Sequence, residues 1–210
     1  MRTLRLCLLL LLAFPLSGLA GDLSLIVSGQ WLERTGKSER PGGLDETGQF
    51  VDYDFDVGAG LGVGLLWQFS NRWALETKAS WGFMDAKAMI VRSDAIVILD
   101  LGELDVVPLT AVLQWRPDLR GDWDPYVGVG SAHIFFGSLQ LPEGKVEFDD
   151  NTGLVINAGL DIALSDRWFI NGDLKYLPLE TGTSARSPLG ESADIEFQPI
   201  IGSAGIRYRF

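Results

Sequence analysis

Residues 52–69 read DYDFDVGAGLGVGLLWQF, and the two parities of this stretch differ in chemistry. The odd positions are Tyr53, Phe55, Val57, Ala59, Leu61, Val63, Leu65, Trp67 and Phe69. The even positions are Asp52, Asp54 and Asp56, then Gly58, Gly60, Gly62 and Gly64, then Leu66 and Gln68. A period of two describes a β-strand with one wholly apolar face. At 18 residues it is longer than an ordinary soluble strand and suits a tilted spanning strand that continues beyond a bilayer.

The same alternation recurs on either side. Residues 23–33 put Leu23, Leu25, Val27 and Trp31 on one face, and residues 73–83 put Trp73, Leu75, Ala79, Trp81 and Phe83 there. Residues 106–116 give Val107, Leu109, Ala111, Leu113 and Trp115, and residues 126–136 are ambiguous in parity, with Val127, Val129 and Phe135 read as outward. Residues 152–164 give Leu154, Ile156, Ala158, Leu160, Ile162 and Leu164, and residues 168–177 give Trp168, Ile170, Leu174 and Tyr176. The last segment gives Ile200, Ala204, Ile206, Tyr208 and Phe210. Short links at 70–72, 117–124 and 165–167 alternate with long ones at 34–51, 84–105, 137–150 and 178–195. Trp67, Phe69, Trp73, Trp115, Trp168, Tyr208 and Phe210 fall beside the short links or the C-terminus, and Tyr53, Phe55, Trp81, Phe83, Phe135 and Tyr176 fall at the opposite strand ends. Two aromatic levels match two membrane interfaces, whereas a soluble sandwich core would not sort aromatics by height. The expectation is an all-β fold: an eight-stranded antiparallel up-and-down transmembrane β-barrel with both termini periplasmic.

Composition agrees with export. Residues 1–20 carry Arg2 and Arg5, an apolar run over 6–16, and Ser17-Gly18-Leu19-Ala20, the pattern of a removable signal peptide. The barrel would then occupy residues 21–210. Cys7 lies in the signal and position 21 is Gly, so neither a disulfide nor a lipid anchor is expected. Without Arg2 and Arg5, 15 basic residues face 28 acidic ones, a charge of −13 that excludes nucleic acid as a partner. No cofactor or metal is expected. Asp52, Asp54 and Asp56 share one face but read as a solvated acidic rim, because no further ligand spacing accompanies them. The alternating glycines lack the GxGxxG spacing, since position 63 is Val. His133 stands two residues from Ser131 with no acidic third member, so an enzyme is not expected.

The C-terminus reads Ile206-Arg207-Tyr208-Arg209-Phe210, with apolar residues at the last, third-last and fifth-last places. It resembles the terminal signal by which the barrel assembly machinery recognises its clients. Asp124-Pro125-Tyr126-Val127-Gly128-Val129-Gly130 resembles the PYVGAG stretch of the OmpW family. Val107-Pro108-Leu109-Thr110 through Trp115 resembles that family's LPPT strand, Ser203-Ala204-Gly205 with Tyr208-Arg209-Phe210 its SAGYRF end, and Asp166-Arg167-Trp168-Phe169 its N/D-R-D-W turn. The resemblance implies a narrow, mostly apolar outer-membrane channel for passive passage of small hydrophobic molecules, with outer-membrane lipid and lipopolysaccharide around it and lateral opening in some members.

Sorting the inward face by height gives the candidate site. An apolar zone comprises Leu32, Val106, Pro108, Ile134, Phe197, Pro199 and Ile201, with Ile26 and Val155 deeper. Toward the periplasm lie Glu76, Lys78, Gln114, Arg116, Asp161, Asp173, Lys175, Arg207 and Arg209, both signs together, as a charge-paired floor requires. Eight strands leave an interior that side chains nearly fill, so a wide aqueous pore is excluded. An apolar solute has no favourable way past the ionic floor and would leave sideways. Pro108 and Pro199 each remove a ladder donor, and placed near one height they would mark a weakened band. The alternative is a non-conducting barrel serving adhesion, phage or colicin attachment, or envelope stability.

Overall fold

The computed structural model describes residues 21–35, 50–91, 96–117, 121–141, 144–178, 183–186, 192–195 and 198–210. Their strands are β1 (Asp22–Arg34), β2 (Phe50–Phe55), β3 (Gly58–Gln68), β4 (Trp73–Val91), β5 (Ile96–Trp115), β6 (Trp123–Phe136), β7 (Ser138–Leu141), β8 (Gly144–Phe148), β9 (Asn151–Ala163), β10 (Trp168–Tyr176), β11 (Thr183–Arg186), β12 (Ser192–Ile195) and β13 (Pro199–Arg209). Eight of these close a ring in the order β1, β3, β4, β5, β6, β9, β10, β13 and back to β1, every neighbour antiparallel. This is the eight-stranded up-and-down barrel expected. Closure pairs every barrel strand on both sides, which is the condition for placing strands in hydrocarbon.

Alternation holds around the ring. Val27, Trp31, Leu61, Val63, Leu113, Val127, Val129, Leu154, Ile156, Ile170 and Ile206 are exposed on the outside, while their sequence neighbours Ile26, Val112, Tyr126 and Val155 are buried, as are Leu66 and Ala132 on the inner face. The start of β1, the C-terminal end of β13 and the tight turns lie at one end of the barrel, here the near end. The β3–β4 turn is closed by Ser70, whose Oγ accepts from the backbone N–H of Trp73 at 3.0 Å and of Arg72 at 3.3 Å. Ser165 repeats the device, accepting from Trp168 N–H at 3.2 Å. These hydroxyls satisfy donors the turn would otherwise strand.

Four details depart from the expectation. The 52–69 stretch is two strands, because β1 stops at Arg34 and the top β1–β3 pair is Leu32↔Gly58; among the described residues β2 beyond it pairs with β4 alone. Residues 84–105 are mostly a continuation of the hairpin, with β4 and β5 running 19 and 20 residues. A bulge lies there, since Ala86 pairs Gly102 but Lys87 pairs Asp100. Gly102 adopts φ 88°, which favours glycine, and its N–H donates to Asp100 Oδ1 at 2.9 Å. The remaining far-end connections contain β7, β8, β11 and β12, which form their own four-stranded sheet. Finally, β6 starts at Trp123, an exposed tryptophan that joins the near-end aromatic level.

Candidate functional site

The near half of the barrel is closed by a charged network supplied by six strands. Asp161 on β9 is fully buried and accepts from Arg116 Nη1 at 2.7 Å and from Asn171 Nδ2 at 2.7 Å, with Arg207 Nε at 3.3 Å. Arg116, just past β5, also reaches Asp124 Oδ2 at 2.7 Å and Gln114 Oε1 at 2.8 Å, and lies over the Tyr126 ring at 4.4 Å. Lys175 on β10 bridges Glu76 at 2.8 Å and Asp173 at 2.5 Å. Asp173 also accepts from Tyr126 Oη–H at 3.2 Å and Asn157 Nδ2 at 2.5 Å, and Gln114 Nε2 donates to Glu76 Oε2 at 2.9 Å. Of the sequence-derived floor residues, Glu76, Arg116, Asp161, Asp173, Lys175 and Arg207 are brought together here. Arg209 is not: its side chain is 32% exposed at the near rim, 3.9 Å from Asp22, with its guanidinium over Phe169 at 4.7 Å. Tyr126, Asn157 and Asn171 were not anticipated, although parity places all three inward.

Lys78 lies beside this network, close enough to feel the charges of Glu76, Asp173 and Lys175, but touches none of its carboxylates. It is buried, and its Nζ donates to Ser203 Oγ at 2.9 Å, a neutral partner. Around it runs a polar belt the sequence reading missed: Ser28, Gln30, Ser80, Thr110 and Ser203, all buried. Toward the far end the inner face changes character in one step of two residues. Gln30 is followed by Leu32, Thr110 by Pro108 and Ser203 by Ile201, and both Gln30↔Ser203 and Leu32↔Ile201 are direct cross-strand pairs.

Above that step lies the apolar band. Leu32, Val106, Pro108, Ile134, Pro199 and Ile201 all point inward and are buried, as anticipated. Met84, Ala86, Leu104 and Leu177 join them, three of the four from a segment read as a loop. Ile26 was grouped with this band and does not belong to it. It packs with Leu66 and Ala74 and pairs Arg207 across β1–β13, level with the floor. Phe197 lies outside the described residues. Of the acidic rim, Asp52 and Asp54 lie in β2, where side chains are not described, and Asp56 is exposed and paired with Lys87 at 2.5 Å.

The prolines occupy different settings. Gly137 N–H donates to Asp105 O at 2.7 Å, so odd residues of β5 bond to β6 and even ones, Pro108 included, turn toward β4. There the ladder runs to Ala79↔Leu109, skips Ser80/Pro108 and Trp81/Val107, and resumes at Gly82↔Val106. Pro108 is thus an interruption inside the wall. Pro199 only opens β13: it pairs Arg34 at the end of the β1 ladder, and its carbonyl accepts from Leu177 N–H at 3.1 Å. Three strands separate β5 from β13 in either direction, so the two prolines face each other across the barrel and do not form one weakened band. His133 and Ser131 both sit on the outer face; His133 Nδ1 lies 2.5 Å from Thr152 Oγ1 and its ring packs edge-on against Phe135 at 4.3 Å.

Comparison with known proteins agrees with this architecture. The OmpW family model matches residues 34–210. The chain is 31% identical to outer membrane protein AlkL of Ectopseudomonas oleovorans over 112 residues, 52% of this chain and 49% of that one. It is 27% identical to outer membrane protein W of Vibrio cholerae over 159 residues, 71% of this chain and 73% of that one. The match thus spans about half of AlkL and nearly three quarters of outer membrane protein W. The fold superposes on the crystal structure of the outer membrane protein OprG from Pseudomonas aeruginosa with a TM-score of 0.70 at 18% identity, covering 91% of this chain and 96% of that one. It also matches the solid-state NMR structure of AlkL in DMPC lipid bilayers, with a TM-score of 0.55 at 22% identity over 94% of each chain. With a family match over most of its length and an apolar outer wall closed on itself, the chain belongs to the OmpW family, as an outer-membrane β-barrel of a Gram-negative bacterium.

Proposed function

We propose that this barrel is a passive channel through which small apolar molecules cross the outer leaflet and leave sideways into the bilayer. The observation that carries this reading is the vertical order of the lumen: an apolar band at the far end above a floor of buried, mutually paired charges. An apolar molecule is favoured in the band and strongly disfavoured in the floor, and the hydrocarbon outside the wall is a better destination than the periplasm. The far end is extracellular in this reading and both termini are periplasmic. Lipopolysaccharide and outer-membrane lipid surround the wall, and the assembly machinery reads the strand ending at Phe210. Surface protease on intact cells is then expected to cut only within 34–51, 84–105, 137–150 or 178–195; cleavage at 70–72 or 165–167 inverts the orientation.

One observation favours the non-conducting alternative. Leu32, Val106, Ile134 and Leu177 have no solvent-accessible surface, so the band is filled by side chains and a solute must displace them. Transport decides between the two. The β4–β5 interruption at Pro108 is the exit in this reading, and Pro108→Val restores the donor toward Ser80. Uptake of an apolar probe into proteoliposomes should fall several-fold in Pro108→Val while heat-modifiable gel mobility shows a folded barrel, and Pro199→Val should leave uptake unchanged. Undiminished uptake in Pro108→Val removes this exit, and no uptake by the parent barrel removes the channel.

A further inference from the structure

We propose that Lys78 and the polar belt form a binding site for the carboxylate head of an amphiphile whose hydrocarbon tail lies in the apolar band above; this rests on the channel reading and names its substrate class.

The first observation is an imbalance of buried charge. Among the buried described residues three acids, Glu76, Asp161 and Asp173, face four bases, Lys78, Arg116, Lys175 and Arg207. A fourth acid, Asp124, is 34% exposed and pairs with Arg116. Arg116, Lys175 and Arg207 each lie within ion-pair distance of a carboxylate, whereas the polar contact of Lys78 is the Ser203 hydroxyl. An ammonium has three donors, and burying one beside a single neutral oxygen leaves most of its desolvation uncompensated.

The second observation is independent of charge. Ser28 Oγ and Thr110 Oγ1 are buried and have no hydrogen-bond partner, and Thr110 is the direct cross-strand neighbour of Lys78. A methyl at Gly62 would lie 2.7 Å from Lys78 Cε and 3.2 Å from Ser28 Oγ, so the lysine arm lies along the glycine face of β3 beside that hydroxyl. Two unused hydroxyls beside an ammonium that touches no carboxylate supply what a carboxylate accepts: a point charge and two O–H donors. Buried polar groups left without partners in a folded protein call for an account, and a bound anion supplies one.

The third observation sets the rest of the ligand. The belt turns apolar within one inward step on β1, β5 and β13, about 7 Å of strand. A head held at Lys78 therefore has its next carbons among Leu32, Pro108 and Ile201. A single ammonium with hydroxyls suits a singly charged carboxylate, where a phosphate would favour the fork of an arginine.

The test is binding of [1-13C]decanoate and [1-13C]decanol to the full-length barrel in lipid nanodiscs, with empty nanodiscs as blank. Decanoate should bind about tenfold more tightly than decanol, the ratio expected of charge-assisted hydrogen bonds. Lys78→Met should bring decanoate down to the level of decanol without changing decanol, and Lys78→Arg should retain most of the preference. If Lys78→Met does not fold, Thr110→Val is read in its place and should weaken decanoate about threefold while sparing decanol. A large excess of acetate should not displace decanoate; if it does, the site takes free carboxylates and the amphiphile assignment fails. Equal binding of decanoate and decanol, or a preference indifferent to Lys78, overturns head recognition and leaves the channel standing. Binding of neither probe overturns both.

Discussion

Replacing Asp161 with Ala should destabilise the folded barrel by about 3–5 kcal/mol, the scale measured when one partner of a buried ion pair is removed. Asp161 is the shared acceptor of Arg116, Arg207 and Asn171, and it has no solvent-accessible surface. Its loss leaves Arg207 without an ion-pair contact among the described residues, stacked on the Phe169 ring at 3.9 Å, and leaves Arg116 with the partly exposed Asp124. Urea unfolding in lipid vesicles, followed by tryptophan fluorescence, should show a midpoint well below that of the parent, and ionic leak through the floor should rise. Arg207→Ala should cost less, because Asp161 then keeps Arg116 and Asn171. An Asp161→Ala barrel with an unchanged midpoint would mean that the floor is wet and its charges solvated, and the seal would have to be sought elsewhere.

Arginine at Leu61 should cost about 2–4 kcal/mol in a bilayer, whereas arginine at Leu164 should cost no more than about 1 kcal/mol. Both side chains are exposed on the outer wall, Leu61 at 65% and Leu164 at 59%. What separates them is depth. Leu61 stands six residues from Trp67 along β3, about 20 Å of strand, which a tilt near 40° turns into about 15 Å, half the hydrocarbon thickness. Leu164 lies beside the Ser165 turn and Trp168, at the near interface. A charge there reaches water and headgroups, and a charge at Leu61 does not. Equal costs at the two positions would show that the outer wall does not face hydrocarbon as assigned.

The barrel was legible in the sequence wherever a strand crosses hydrocarbon, because there one face must be apolar and period two follows. Past the bilayer that requirement lapses. Asp85 and Glu103 are exposed directly opposite each other on the β4–β5 extension, which therefore reads as loop although the backbone remains paired through Val91↔Ile96. The start of β6 was hidden differently. Asp122, Asp124 and Pro125 look like a turn, yet Asp124 turns to Arg116, and Pro125 pairs only with β9 among the described residues. Parity also fixes a face without fixing a height, which is why Ile26 was assigned to the apolar band while its cross-strand partner is Arg207. The polar belt was missed because serine and threonine are compatible with any wall, and their meaning appears only when Lys78 is seen among them.

The interruption at Pro108 is framed. Intact pairs Ala79↔Leu109 and Gly82↔Val106 bound it, three residues apart, or about 10 Å along the strand. An interruption tied at both ends cannot unzip toward either rim, so under the proposed lateral exit a solute would have to thread it lengthwise. Strands are normally about 4.8 Å apart, and an unbranched hydrocarbon chain would ask for the smallest parting at this point. Fused rings or heavily branched skeletons would need the flanking bonds broken as well. The wall would then act as a sieve for cross-section, indifferent to chain length and strict about width.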